Sequence, residues 1–239
     1  MEDPLKIVPV MNQFFNNDAV STDSSFSGKR ALVTAGPTVE VIDPVRYVTN
    51  RSSGKMGFAI AEALREKGAE VTLVTGPTQL TDPKGINVIH VQSAEDMFNA
   101  VKERYNAQDI IFKAAAVSDY TPSEVLDHKM KKREGDLSVT FKRTTDILKY
   151  LGDNKKHQYL VGFAAETQNI EAYAQDKLAR KNADVIISNN VGDQSIGFSS
   201  DDNELTMHFK NKDMVNIKKG KKVELAKQIL DELETRWQQ

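Results

Sequence analysis

The chain has 239 residues, 39% of them hydrophobic and none of them cysteine, which suits one α/β domain and excludes disulfides, thiolate nucleophiles and cysteine-ligated metals. Charged residues make up 28% but cancel to a net charge of -2, so no global field exists to grip a nucleic acid backbone. No apolar run nears the ~20 residues that span a bilayer and no signal-peptide pattern opens the chain, so neither nucleic acid nor membrane is an expected partner and the expected location is cytoplasmic.

Residues 1–28 hold Asn16-Asn17-Asp18, the Ser/Thr-rich stretch from Ser21 to Ser25 and Ser27-Gly28, and read as a tether. The folded domain is expected over residues 29–239. RALVTA, from Arg30 to Ala35, is a short apolar run halted by Gly36-Pro37, the mark of a buried strand feeding a loop. Phe58, Ile60, Ala61, Ala63 and Leu64 stand at helical spacing, and Lys67-Gly68 supplies a stop, so a helix is predicted over Met56 to Lys67. Glu70 to Thr75 repeats the strand design before Gly76-Pro77. Val88 to Val91 is the next predicted strand, Ser93 with Asp96 makes a capping box for a helix from Ala94 to Tyr105, and a strand follows over Asp109 to Ala114. Tyr159 to Phe163, a helix from Ile170 to Lys181, and Val185 to Ser188 continue the alternation. This order predicts an α/β, Rossmann-like, mostly parallel sheet with helices on both faces. Leu137 to Lys142, and Glu204 to Lys210 with Asp213 to Ile217 across Asn211-Lys212, alternate as exposed antiparallel strands do and predict a small antiparallel extension. Val223 to Trp237 closes the chain as an amphipathic helix.

In an open parallel sheet, ligands sit beyond the carboxyl ends of the strands. Just past those ends lie Gly36-Pro37-Thr38, Gly76-Pro77-Thr78, Ala115 to Tyr120, Ala164 to Thr167 and Asn189-Asn190, mostly small or polar residues suited to a site rim. The densest stretch runs from Asp43 to Gly57. Its Ser52-Ser53-Gly54 before a helix offers backbone N–H groups and a positive dipole end to a phosphate, with Lys55 as a mobile charge, although a serine there also serves as a plain helix cap. It is not a Walker A loop, because no glycine stands five residues before Gly54 and Met56 replaces Ser/Thr. The dinucleotide fingerprint is missing too, and strand two ends in Gly-Pro instead of a ribose-binding acid. Ala114-Ala115-Ala116 permits close backbone approach or merely tight packing. Lys129 to Arg133 is a basic cluster, read either as a solvated face or as a loop folding over a polyanion. Lys177, Arg180 and Lys181 stand one turn apart and fit an exposed basic face or a triphosphate site. The four histidines show no metal-ligand spacing, and no serine sits in a G-x-S-x-G elbow.

TAGPT (Thr34 to Thr38), DPVRYVTNRSSGKMG (Asp43 to Gly57), AAVSDY (Ala115 to Tyr120), KMKK (Lys129 to Lys132), VGFAAET (Val161 to Thr167) and RKNADVIISN (Arg180 to Asn189) together resemble the bacterial phosphopantothenate cysteine ligases. The resemblance runs co-linearly from about Lys29 to Trp237, and Glu2 to Ile7 is similar to the last turn of the flavin-dependent decarboxylase that precedes the ligase in bifunctional proteins. It implies a ligase of coenzyme A biosynthesis in which the carboxylate of 4'-phosphopantothenate attacks CTP to give an acyl cytidylate and pyrophosphate. The amine of L-cysteine then displaces CMP. The implied catalytic residues are Asn50 and Lys129, with Arg46, Asn50, Ala115, Ala116 and Lys129 holding the substrate. Implied nucleotide contacts are Gly36, Ser52, Gly54, Lys113, Ala114, Ala115, Asp119, Lys129, Thr145, Asp146, Ile147, Leu148, Phe163, Lys177 and Lys181. The chain departs from the family in Thr145, where proline is expected, and in Lys113, where a small residue is common. The resemblance also implies Mg2+ carried on the nucleotide phosphates without protein ligands, a homodimer, and fusion to or association with a decarboxylase domain. Two rival readings are an NAD(P)-dependent Rossmann-like reductase and a non-catalytic nucleotide-binding module.

Overall fold

The computed structural model describes residues 24–131, 136–166, 170–190 and 202–237. The apolar runs become strands β1 (Arg30–Ala35), β4 (Glu70–Thr75), β5 (Asn87–His90), β6 (Ile110–Lys113), β9 (Tyr159–Glu166) and β10 (Val185–Asn190). These six pair in parallel in the order β5-β4-β1-β6-β9-β10. From β1 the chain builds outward through β4 to β5, then returns to place β6 on β1's other flank. The strand order therefore reverses between β1 and β6, which opens a crevice at their carboxyl ends.

Helices α1 (Lys55–Glu66), α2 (Ala94–Arg104), α3 (Ile147–Asp153), α4 (Ile170–Lys181) and α5 (Lys222–Trp237) cover the two faces. Successive strand side chains point to opposite faces, so each continuous apolar run feeds two cores. Ala31, Val33 and Ala35 of β1 pack with Ile60, Leu64, Ile229 and Leu230 from α1 and α5. Leu32 joins Met97, Val101, Leu148, Leu151 and Leu178 from α2, α3 and α4. Fully buried Leu64 and Leu151 each contribute ~1.5–3 kcal/mol of transfer free energy.

The capping box forms as read: the Asp96 N–H donates to Ser93 Oγ at 3.1 Å, and the Ser93 N–H donates to Asp96 Oδ2 at 2.9 Å. Helix α1 begins differently. Its N-cap is Gly54 at φ 77°, with no side-chain cap hydrogen bond, so neither serine is the N-cap, and Ser52 Oγ instead accepts from the Gly54 N–H at 3.4 Å. Gly57 then lets that first turn lie against the end of β1, because a Cβ there would fall 2.6 Å from the Ala35 Cβ.

Two expectations are corrected. The tether does not extend to residue 28: Phe26 is fully buried and stacks 5.2 Å from Trp237, while Ser24 and Ser25 hydrogen-bond Glu234. The hairpin near the C-terminus, β11 (Asp202–Phe209) and β12 (Met214–Lys221), forms the antiparallel extension that the sequence predicts, but β11 is not exposed as expected. It extends the main sheet to eight strands as an antiparallel edge on β10. Leu205, Met207, His208 and Phe209 are buried there, with Ser188 Oγ 2.8 Å from His208 Nε2.

Two small antiparallel pairs lie beyond the carboxyl edge. One joins β2 (Val39–Val41) to β3 (Tyr47–Thr49), and the other joins β7 (Tyr120–Pro122) to β8 (Phe141–Arg143). The predicted strand over Leu137 to Lys142 survives only as β8.

Candidate active site at the carboxyl edge of the sheet

The loop after β6 is fixed by its neighbours. The Ala115 N–H donates to Thr34 Oγ1 at 3.2 Å, and the Ala116 N–H donates to the Gly36 carbonyl at 2.9 Å. The Asn50 amide donates to the Ala116 carbonyl at 3.0 Å, which brings the β3–α1 loop onto the β6 loop. Between them lies a cavity of about 590 Å³. Among the described residues, its wall includes Arg51, Lys55, Lys113, Lys177 and Lys222 and one carboxylate, Asp119. In a chain of net charge -2, that is a strong local concentration of positive charge. The uncapped first turn of α1, residues 54–57, lines the same space and adds its dipole.

A smaller lobe of about 100 Å³ adjoins it through Lys113, Val117, Asp119, Phe163 and Lys177, and adds Thr145, Asp146, Ile147, Leu148 and Lys181. Asp146 caps α3 by accepting from the Lys149 N–H at 2.9 Å and pairs with Lys181. The Lys177 ammonium donates to the Phe163 carbonyl at 3.0 Å. Lys113 donates to the Ala115 carbonyl at 3.0 Å. Burial pushes its ammonium down to about 8, helped by Lys177 and Lys181 and opposed by Asp146 and Asp119. Among the described residues no three His, Asp or Glu side chains converge as a metal site would require.

This arrangement coincides with a family assignment. The family model described as the DNA/pantothenate metabolism flavoprotein C-terminal domain matches residues 26–236. The chain belongs to that family. It is 49% identical over 234 residues to the coenzyme A biosynthesis bifunctional protein CoaBC of Bacillus subtilis, covering 98% of this chain and 57% of that protein. Its identity to the Haemophilus influenzae protein of the same name is 43% over 239 residues, covering 100% and 58%. The chain thus spans somewhat over half the length of these curated relatives. A crystal structure of the C-terminal domain of CoaBC superposes with a TM-score of 0.77 at 44% identity, covering 89% of this chain and 97% of that one.

Most residues implied by the resemblance to phosphopantothenate cysteine ligases meet in the two lobes. Asn50, Ser52, Gly54, Ala114, Ala115 and Ala116 line the larger one, Lys181 and residues 145–148 the smaller, and Lys113, Asp119, Phe163 and Lys177 both. Gly36 lies behind the wall, where its carbonyl holds Ala116. The backbone groups of Ala115 and Ala116 are engaged within the chain, so these residues shape the wall more than they donate to a ligand.

Arg46 and Lys129 lie outside the cavity lining. Arg46 Nε and Nη2 reach Asp43 Oδ2 at 2.9 and 2.6 Å, and Nη2 also donates to the Met130 carbonyl at 3.0 Å. The Met130 N–H returns to Asp43 Oδ2 at 3.1 Å. Arg46 holds the Asp43 carboxyl well below the usual carboxylate range, with the Val45 and Met130 N–H groups adding to that against the cost of burial. The pair anchors the loop on which Lys129 stands exposed. Lys132, Arg133 and Thr167 fall outside the described residues.

Sequence reasoning missed Asn203 and Lys222. One signal was present for the lysine: Lys222 precedes Leu225, Ala226 and Ile229 by three, four and seven positions, so a charge occupies the apolar stripe of α5.

Proposed function

We propose that this chain joins 4'-phosphopantothenate to L-cysteine at the expense of CTP, releasing pyrophosphate and CMP. The observation that carries the reading is the cationic cavity, whose described lining residues include five Lys or Arg side chains and one carboxylate. A carboxylate is ionised at pH 7, so its attack on a triphosphate needs no base. It needs cations that let one anion approach another and that stabilise the charge spreading onto the departing phosphates. The carboxylate oxygen bonds to the α-phosphorus as the bond to the β-phosphate oxygen breaks, and pyrophosphate leaves with the electron pair. Cysteine's neutral amine then adds to the acyl carbon, the bond to CMP breaks, and the amine proton passes to solvent.

The smaller lobe suits the nucleoside and the larger the phosphates and the second substrate. Asn50 offers an amide N–H to the acyl oxygen as it becomes an oxyanion, without a charge that would trap the intermediate. Lys129 acts on this reading when its loop closes over the cavity, in the same chain or across a homodimer. Mg2+ carried on the phosphates would supply charge screening, and Asp119, which lines both lobes, is the side chain that would face it. The reading places the chain in the cytoplasm beside, or fused to, a decarboxylase domain, in keeping with the bifunctional naming of its relatives. Among the described residues no helix is long and apolar enough to cross a membrane. The reductase alternative keeps only the sheet order in its favour. Here the β1–α1 connection runs over residues 36–54 through the β2–β3 pair, not through the tight glycine turn that seats a dinucleotide.

The test mixes the chain with CTP, Mg2+, 4'-phosphopantothenate and cysteine. CMP formation that requires both acceptor substrates is expected. CTP binding with no CMP would favour the non-catalytic module, and no CMP with any nucleotide would remove the ligase reading.

A further inference from the structure

The larger lobe has a polar flank that the smaller lobe does not share. Asn189 at the end of β10, Asn203 on β11 and Lys222 at the first position of α5 line the 590 Å³ space with residues 50–57, but none of them lines the lobe of Lys113, Lys177 and Lys181. Lys222 is 6% exposed and Asn203 4%. The place of Lys222 in the cavity wall sets a positive charge at this end of the space, where a methionine or leucine on the same stripe would supply none. Lys222 and Lys55 also line a neighbouring groove of about 430 Å³ between α1 and α5, so two helix starts bring their lysines to one edge of the cavity. The Oδ1 of Asn203 accepts from the Glu204 N–H at 3.0 Å, which fixes this side chain at the cavity wall.

A nucleotide seated with its nucleoside in the smaller lobe extends its β- and γ-phosphates into the larger. We propose that Lys222, flanked by Asn203 and Asn189, is the seat of those two phosphates and of the pyrophosphate that leaves. This rests on the ligase reading. As the bond between the α-phosphorus and the bridging oxygen breaks, the electron pair goes to pyrophosphate, and the Lys222 ammonium meets the charge that develops there.

The experiment compares wild type with Lys222→Gln and Lys222→Arg, using CMP release as the assay and adding pyrophosphate or CMP as product inhibitors. In Lys222→Gln the inhibition constant for pyrophosphate is expected to rise about tenfold or more, while that for CMP stays within about twofold, and arginine restores most of the difference. A general structural defect would weaken both inhibitors together. Equal pyrophosphate inhibition in wild type and Lys222→Gln would overturn the assignment while leaving the ligase reading intact, whereas a wild type that releases no CMP removes the reading itself. Thermal melting checks the fold of each variant. If Lys222→Gln melts too early to assay, Asn203→Ala carries the same test, with a selective rise in the pyrophosphate constant of about threefold expected and no selective change counting against the seat.

Discussion

Raising the pH through 8 is expected to weaken CTP binding, because Lys113 loses its charge there. Removal from water is the main cause of its low value of about 8, with the nearby Lys177 adding to it. A lysine with that value is about nine-tenths charged at pH 7 and about one-tenth charged at pH 9. If CTP binds only the charged form, its dissociation constant rises about tenfold over that interval, or ~1.4 kcal/mol. Calorimetric titration with CTP at pH 7, 8 and 9 measures this directly. Lys113→Arg stays charged throughout and should flatten the profile. A wild-type constant that does not change over the range, or an equal rise in Lys113→Arg, would refute the reasoning. The contribution of Lys113 to stability runs the opposite way. Its value in the fold lies below the 10.5 of a free lysine, so the unfolded chain holds the proton longer and stability gains between pH 8 and 10.5.

Three further outcomes follow from the geometry. Asn50→Asp should still release pyrophosphate in the first half-reaction but turn the acyl cytidylate over poorly; equal loss of both half-reactions, followed separately by quench-flow, would remove the oxyanion role. Gly57→Val puts a side chain where a Cβ already lies 2.6 Å from the Ala35 Cβ, with an expected loss of ~1–3 kcal/mol in denaturant unfolding and weaker CTP binding as the first turn of α1 shifts; unchanged stability would contradict the close approach. Asp43→Asn should free the Lys129 loop, seen as faster tryptic cleavage there at neutral pH. In the wild type the Asp43 link is fully present above the ordinary value of 3.8 and is lost only as pH falls into strong acid, so cleavage that is equally fast in both proteins at pH 7 would refute the anchor.

How much of this was legible depended on whether the signal was local. Strands β1 and β4 match their predicted residues because each is a continuous apolar run stopped by Gly-Pro, and α4 matches from Ile170 to Lys181. Strands β2 and β3, three residues each, are too short to show a period. Strand β11 alternates as an exposed strand does, yet pairing sets His208 opposite Ile186 in the interior. Arg46 was legible only as a substrate ligand implied by resemblance, because its partners Asp43 and Met130 come together through folding. The cavity residues quoted in motifs were legible through resemblance, whereas Lys222 and Asn203 reach the site only because the edge hairpin continues the main sheet.

The most direct measurement omits cysteine. With CTP, Mg2+ and 4'-phosphopantothenate alone, rapid mixing should show a burst of pyrophosphate of about one equivalent per active chain, followed by slow turnover, because the cationic cavity brings the two anions together before any amine arrives. Pyrophosphate that forms only once cysteine is added, or without any requirement for 4'-phosphopantothenate, would contradict that account.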